Sequence, residues 1–158
     1  MRKSRVHAFA NRSMDQQSPN PNGRSGLSGA AAVRVLVVED FEPFLQFISS
    51  TLAKRRDLQV IGEVSDGLET VQKAVELEPD LILMDIGLPS LNGIEAARQI
   101  RKLVPESKII FLSGECSADV VQEALSLGAW GYIVKTRGTD LLAAVDAVIL
   151  GKRFVSRT

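Results

Sequence analysis

Cysteine is nearly missing: Cys116 is the only one in 158 residues, so no internal disulfide can form, and a reducing compartment is compatible. No stretch approaches the roughly 20 consecutive apolar residues that a membrane span needs. The charged amino-terminal start is not followed by the apolar run of about 7 to 15 residues that forms the core of a secretory signal. These absences point to a soluble, cytoplasmic protein with no membrane contact. Histidine is as scarce as cysteine, and His7, the only one, sits in the tail and is read as incidental. Aromatic residues make up only 5%, against 45% hydrophobic residues overall, so the core must be built from Val, Ile, Leu and Ala, which suits an α/β fold. A formal net charge of +0 conceals an asymmetry: residues 1 to 32 hold five basic residues (Arg2, Lys3, Arg5, Arg12, Arg24) against Asp15, or +4, and the remaining 14 basic and 18 acidic residues give −4. An acidic body is a poor surface for a phosphate backbone, so DNA binding is not expected of this chain.

The length allows one domain of ordinary size plus a tail. Residues 1 to 32 are rich in Ser, Asn, Gln, Pro and Gly and carry no apolar periodicity, so they read as a disordered basic extension. From Val33 the texture changes to VRVLVV, a first strand that closes on Glu39 and Asp40. Pro43 opens a helix marked by Phe44, Leu45, Phe47, Ile48 and Leu52 and stopped by Lys54, Arg55 and Arg56. A second strand, Leu58 to Val64, leads through Asp66-Gly67 into a helix with Leu68, Val71, Ala74, Val75 and Leu77, which Pro79 ends. The third strand is an unbroken apolar run, Leu81 to Met84, that ends in Asp85, with Gly87, Pro89 and Gly93 breaking the chain beyond it. A third helix with Ile94, Ala96, Ala97, Ile100 and Leu103 stops at Pro105. The fourth strand, Lys108 to Leu112, ends in Ser113-Gly114. A helix from about Ala118 to Leu127 stops at Gly128, and Cys116 is a small residue at its start. Trp130 to Val134 forms the fifth strand, ending at Lys135, and the last helix runs from about Asp140 to Leu150, with Gly151 as its stop. Five strands alternating with five helices predict a doubly wound, flavodoxin-like (βα)5 parallel sheet in the order 2-1-3-4-5.

In such a sheet the carboxyl ends of the strands share one edge, where ligands sit. That edge collects Glu39 and Asp40 from the first strand, Asp85 from the third, Ser113 from the fourth and Lys135 from the fifth. Three carboxylates so close repel, and a hard divalent cation with oxygen ligands compensates them. Mg2+ is held by one or two carboxylates plus phosphate and keeps several waters. Asp40 and Asp85 are candidate direct ligands, Glu39 a ligand through water, and the Gly87 carbonyl a backbone ligand. With a phosphoryl group on Asp85, the metal, the Lys135 ammonium and the Ser113 hydroxyl can each take one of its oxygens, which makes Asp85 the candidate nucleophile.

Glu39-Asp40, Asp85 within MDIGLP, Ser113-Gly114 and GYIVK ending at Lys135 resemble the receiver domain of two-component response regulators, over Val33 to Gly151. The resemblance implies that Asp85 is the phosphoacceptor, that Glu39 and Asp40 are the acidic pair binding Mg2+, that Lys135 contacts the phosphoryl group and that Ser113 is the hydroxyl switch. Tyr132 matches the switch aromatic whose ring turns inward when the hydroxyl moves toward the phosphate. It implies a protein that is no enzyme beyond its own phosphorylation and dephosphorylation, with a sensor histidine kinase or phosphotransfer protein as donor and a downstream protein as target. It leaves open a homodimer through the fourth and fifth helices. The DGLE, DIGLPxLNGIEA and GYIVK elements resemble the NarL/FixJ-like branch. Thr136 stands where most receivers have Pro, Glu39 where Asp is commoner, and Gly87 and Glu115 occupy positions that in this family influence water access to the acyl phosphate. In that branch a DNA-binding domain follows, whereas residues 152 to 158 read only as a short tail; the expectation is a stand-alone receiver or a regulator without its output domain. A receiver acting purely as an interaction module is the alternative.

Overall fold

The computed structural model describes residues 31–114 and 117–156. The expected extension up to residue 30, with His7, lies outside the described residues, as do Glu115 and Cys116. Strands β1 (Val33–Val38), β2 (Leu58–Val64), β3 (Leu81–Asp85), β4 (Lys108–Ser113) and β5 (Gly131–Val134) form one parallel sheet in the expected order. A sixth strand, β6 (Phe154–Val155), which the five-strand reading did not include, pairs parallel with β5. The strands alternate with α1 (Glu42–Leu52), α2 (Gly67–Leu77), α3 (Gly93–Leu103), α4 (Ala118–Ser126) and α5 (Leu141–Ile149). A 3-10 helix, Lys135–Asp140, occupies the connection that the sequence reading left between Lys135 and the last helix.

Side chains in a strand alternate between faces, and in β1 this separates two cores. Leu36 and Val38 pack with Ile82, Met84, Phe111 and Tyr132 against Ala74 of α2, Ile100 of α3 and Ala124 of α4. On the opposite face Val35 and Val37 pack with Leu83, Ile110, Leu112 and Ile133 against Ile48 of α1 and Val145 of α5. Both faces being covered explains why the central strands read as continuous apolar runs. The apolar stripes of the helices are narrower than their sequences suggested. Leu68 and Val75 of α2 are 55% and 46% exposed, whereas the buried positions of that helix are Gly67, Thr70 and Ala74.

Helix ends follow local chemistry. Asp66, Asn92 and Ser117 each accept a hydrogen bond from a backbone N–H in the first turn of α2, α3 and α4. At the other end of α2, Glu78 takes the left-handed conformation ahead of Pro79.

Candidate phosphoacceptor site

Parallel register aligns the strand termini. Asp85 pairs with Leu112, Ser113 with Val134, and Glu39 continues β1 by donating its N–H to the Val64 carbonyl at 2.9 Å. The expected residues therefore meet at one edge. Among the described residues, Glu39, Asp40 and Asp85 form a group in which one oxygen from each lies within 4.8 Å of the others. Asp40 is exposed, while Glu39 is fully buried and Asp85 is 6% exposed.

The loop after β3 is fixed from several sides. Gly93 N–H donates to the Ile86 carbonyl at 2.7 Å, and a Cβ on Gly93 would lie 2.3 Å from the Asp85 carbonyl oxygen, so only glycine allows the approach. Gly67, the first residue of α2, donates to the Pro89 carbonyl at 3.1 Å. Asp66 accepts from the Ser90 hydroxyl as well as from Glu69 N–H, and both hold its carboxyl below the usual value. Asp85 itself accepts from Gly87 N–H through Oδ1 at 3.2 Å, which fixes the carboxylate plane.

Lys135 completes the cluster. Its Nζ lies 3.3 Å from Asp85 Oδ1, 2.9 Å from Glu39 Oε1 and 3.0 Å from Glu39 Oε2. Glu39 Oε2 also accepts from Phe41 N–H at 3.0 Å. Oε1 is close to the ammonium but outside hydrogen-bond geometry, and it is a buried oxygen with no hydrogen-bond partner. Burial pushes the Glu39 carboxyl above its ordinary value against the hydrogen bond from Lys135, and the Asp85 charge adds to the rise. Burial likewise raises Asp85, with the Asp40 charge adding, despite Lys135 and the Gly87 N–H. Burial works against the Lys135 charge, but its hydrogen bond to Glu39 and the Asp85 and Glu39 charges outweigh this and hold the ammonium above its usual range.

Three carboxylates and one ammonium leave two negative charges at this edge when all are ionised. Carboxylate donors only, an excess of negative charge and a buried carboxylate oxygen that makes no hydrogen bond fit a hard divalent cation such as Mg2+. Ser113 is buried at the end of β4. Tyr132 is fully buried on the face covered by α2, α3 and α4, and its strand is flanked by β6 rather than lying at the edge as the five-strand order required. Gly87 is exposed two residues past Asp85.

Phe44, which the sequence presents only as an apolar helix position, also reaches the site: its ring centroid is 5.1 Å from Lys135 Nζ. Nothing in linear spacing links it to a residue 91 positions later. Ser156, in the expected tail, was also missed. It donates its N–H to the Tyr132 carbonyl, accepts from Val134 N–H at its Oγ and donates that hydroxyl to Asp140.

A doubly wound sheet with this acid and lysine grouping at its carboxyl edge defines the receiver class of α/β domains. Residues 35–146 match the family model of the response regulator receiver domain, and the chain belongs to that family. The transcriptional regulatory protein LiaR of Bacillus subtilis is 38% identical over 121 residues, covering 76% of this chain and 57% of that protein. The response regulator protein VraR of Staphylococcus aureus is 40% identical over 116 residues, covering 73% and 54%. The chain thus spans little more than half the length of these curated relatives. Among solved structures, the response regulator domain of Thermotoga maritima CheB is 37% identical with a TM-score of 0.65, over 76% of this chain and 92% of that one. A LuxR-family two-component response regulator from Aurantimonas sp. is 29% identical with a TM-score of 0.71, over 78% and 89%. No helix among the described residues is long and apolar enough to cross a membrane.

Proposed function

We propose that residues 33 to 151 are a phosphoacceptor switch in which Asp85 takes a phosphoryl group from a phosphohistidine on a sensor kinase or phosphotransfer protein. One observation carries this reading: a buried carboxylate at the end of β3 stands 3.3 Å from an ammonium and within 4.8 Å of two further acids. Mg2+, when bound, supplies charge neutralisation and an electrophilic contact to the phosphoryl oxygens; Glu39, Asp40, Asp85 and the Gly87 carbonyl are the residues that would hold it. An oxygen of the Asp85 carboxylate attacks phosphorus, the phosphorus–nitrogen bond to the donor imidazole breaks with its electron pair going to nitrogen, and that imidazole takes a proton from solvent as it leaves. Gly87 N–H fixes the orientation of the attacking carboxylate, and Lys135 neutralises charge on the transferred group. Water attack on the acyl phosphate later restores Asp85.

The added charge draws in the Ser113 hydroxyl, and Tyr132 with the α4 to β5 surface repacks around it. Because the phosphoryl group makes different contacts in two pre-existing arrangements, it shifts their populations. The readout is a contact with a downstream protein or a second copy of the chain, and the reading places the protein in the cytoplasm, with residues 1 to 32 as a basic extension. Incubation with Mg2+ and acetyl phosphate should add one phosphoryl mass, and Asp85→Asn should abolish it. No added mass with an intact fold would leave only an interaction module.

A further inference from the structure

Lys135 is held more closely by Glu39 than by Asp85. Its two shortest carboxylate contacts, 2.9 and 3.0 Å, go to the two oxygens of Glu39, against 3.3 Å to Asp85. The ring of Phe44, in the first turn of α1, backs the ammonium at 5.1 Å. That ring is itself braced: it stacks on Phe47 with centroids 5.5 Å apart, and a Cβ on Gly138 would come 3.0 Å from the Phe47 ring. Glu39 Oε1 is fully buried and makes no hydrogen bond, so the ammonium 2.9 Å away holds it by charge alone, and a divalent cation would contest that contact.

We propose that Glu39 and Phe44 form a holding cage for the Lys135 ammonium, so that Lys135 and a divalent metal ion compete for the Glu39 carboxylate. The proposal rests on the metal-dependent phosphoacceptor reading above. When a metal ion engages Glu39, the lysine loses its nearest partner, and Asp85 becomes its remaining carboxylate contact. Metal loading then also directs Lys135 to the residue that is to carry the phosphoryl group. Phe44 is a positioning residue here, acting only through Lys135. The apparent metal affinity is reduced by the fraction of molecules in which the lysine occupies the cage.

Phe44→Leu tests this, because it keeps apolar bulk and changes no charge while removing the aromatic face. An ammonium–aromatic contact at a partly exposed site corresponds to a factor of about two to five in an equilibrium. Calorimetric titration of the full chain with Mg2+ should therefore give a Kd about two- to fivefold lower for Phe44→Leu, and a wild-type Kd for Phe44→Tyr. In the wild type, the NMR signal of the Lys135 ε-methylene should be shifted upfield by the Phe44 ring in EDTA and should move back when Mg2+ is added. An unchanged or higher Kd in Phe44→Leu, or a Lys135 signal indifferent to Mg2+, overturns the cage. Should Phe44→Leu fail to fold, the wild-type NMR titration decides alone. A protein that takes Mg2+ and a phosphoryl mass while Lys135 stays still refutes the cage and leaves the proposed function standing. A protein that takes neither refutes both.

Discussion

Replacing Lys135 by Met should destabilise the metal-free protein by about 2 to 3 kcal/mol at pH 7, and the loss should fade as the pH falls. The ammonium sits 2.9 Å from Glu39 and 3.3 Å from Asp85, and at an effective dielectric constant of about 20 each contact is worth roughly 5 kcal/mol of attraction before desolvation is subtracted. Losing both contacts cannot cost that much, because the carboxylates can keep a proton. Folding with one proton retained on Glu39, whose ordinary value is 4.5, costs about 3.4 kcal/mol at pH 7, at ~1.36 kcal/mol per pH unit. Part of that penalty is present in the wild type, where burial already raises Glu39, so the extra loss lies below this ceiling. The sign follows from proton linkage. A carboxyl raised in the folded state holds its proton when the unfolded chain has released it, so stability is greatest at low pH and falls as the pH climbs past the ordinary value. For Lys135→Met the deficit should shrink by up to about 1.4 kcal/mol per pH unit on acidification and largely vanish near pH 4.5, the ordinary value for Glu39. Urea denaturation of both proteins in EDTA at pH 5, 6 and 7 measures this. Adding Glu39→Gln to Lys135→Met should recover most of the loss, and saturating Mg2+ should recover part of it. A deficit under about 0.5 kcal/mol at pH 7, or one independent of pH, would refute the claim that Lys135 compensates buried acids.

Three further outcomes test the scaffold around the site. Asp66→Ala should cost about 1 kcal/mol at neutral pH by removing the cap of α2, with Asp66→Asn near wild type. Because the Asp66 carboxyl is held below its ordinary value of 3.8 by Ser90 and Glu69 N–H, its contribution is present above that value and lost as the pH falls through the lower folded one, so the Ala deficit should narrow in acid melts. Gly93→Ala should lower stability by about 1 to 3 kcal/mol, and it should impair acetyl phosphate labelling of Asp85, because the new Cβ must push the Asp85 carbonyl away from 2.3 Å. Ser156→Ala should cost roughly 1 to 3 kcal/mol, since Val134 N–H loses its acceptor in a buried strand; hydrogen exchange at Val134 should accelerate with it.

The sheet was legible because buried parallel strands announce themselves as apolar runs: LILM is unbroken, and VRVLVV is interrupted only by Arg34 near its start. The carboxyl edge was legible for the same reason: once five strands are counted, the residue after each must fall on one side, whatever the side chains then do. What the chain order did not disclose is lateral. Phe154–Val155 is too short to stand out as a strand, and it becomes one only because the outer side of β5 is there to be paired. Leu68 and Val75 fit a helical stripe, yet α2 buries Gly67, Thr70 and Ala74 instead: Ala74 packs in the core beneath the sheet, and Gly67 lies against Leu91 of the loop after β3, where any Cβ would collide.

The same distinction separates the two partners of Lys135. Asp85 was predictable as a neighbour because both residues close strands of one parallel sheet. The tighter hold by Glu39 was not, because it depends on Phe41 N–H fixing one carboxylate oxygen and on Phe44 standing behind the ammonium, both set by where α1 begins after Asp40. Pro43 at the start of α1 sets that beginning, since its fixed backbone angle suits a first helical turn and no side chain caps the helix. A change that delayed the helix by one residue would keep every acid and the lysine at the edge. It would also rotate Phe44 away, loosening the hold on Lys135 while its ion pair with Glu39 stays in place. The composition of the cluster therefore defines what chemistry is available, and the phase of α1 decides whether an aromatic ring stands behind the lysine that Glu39 holds.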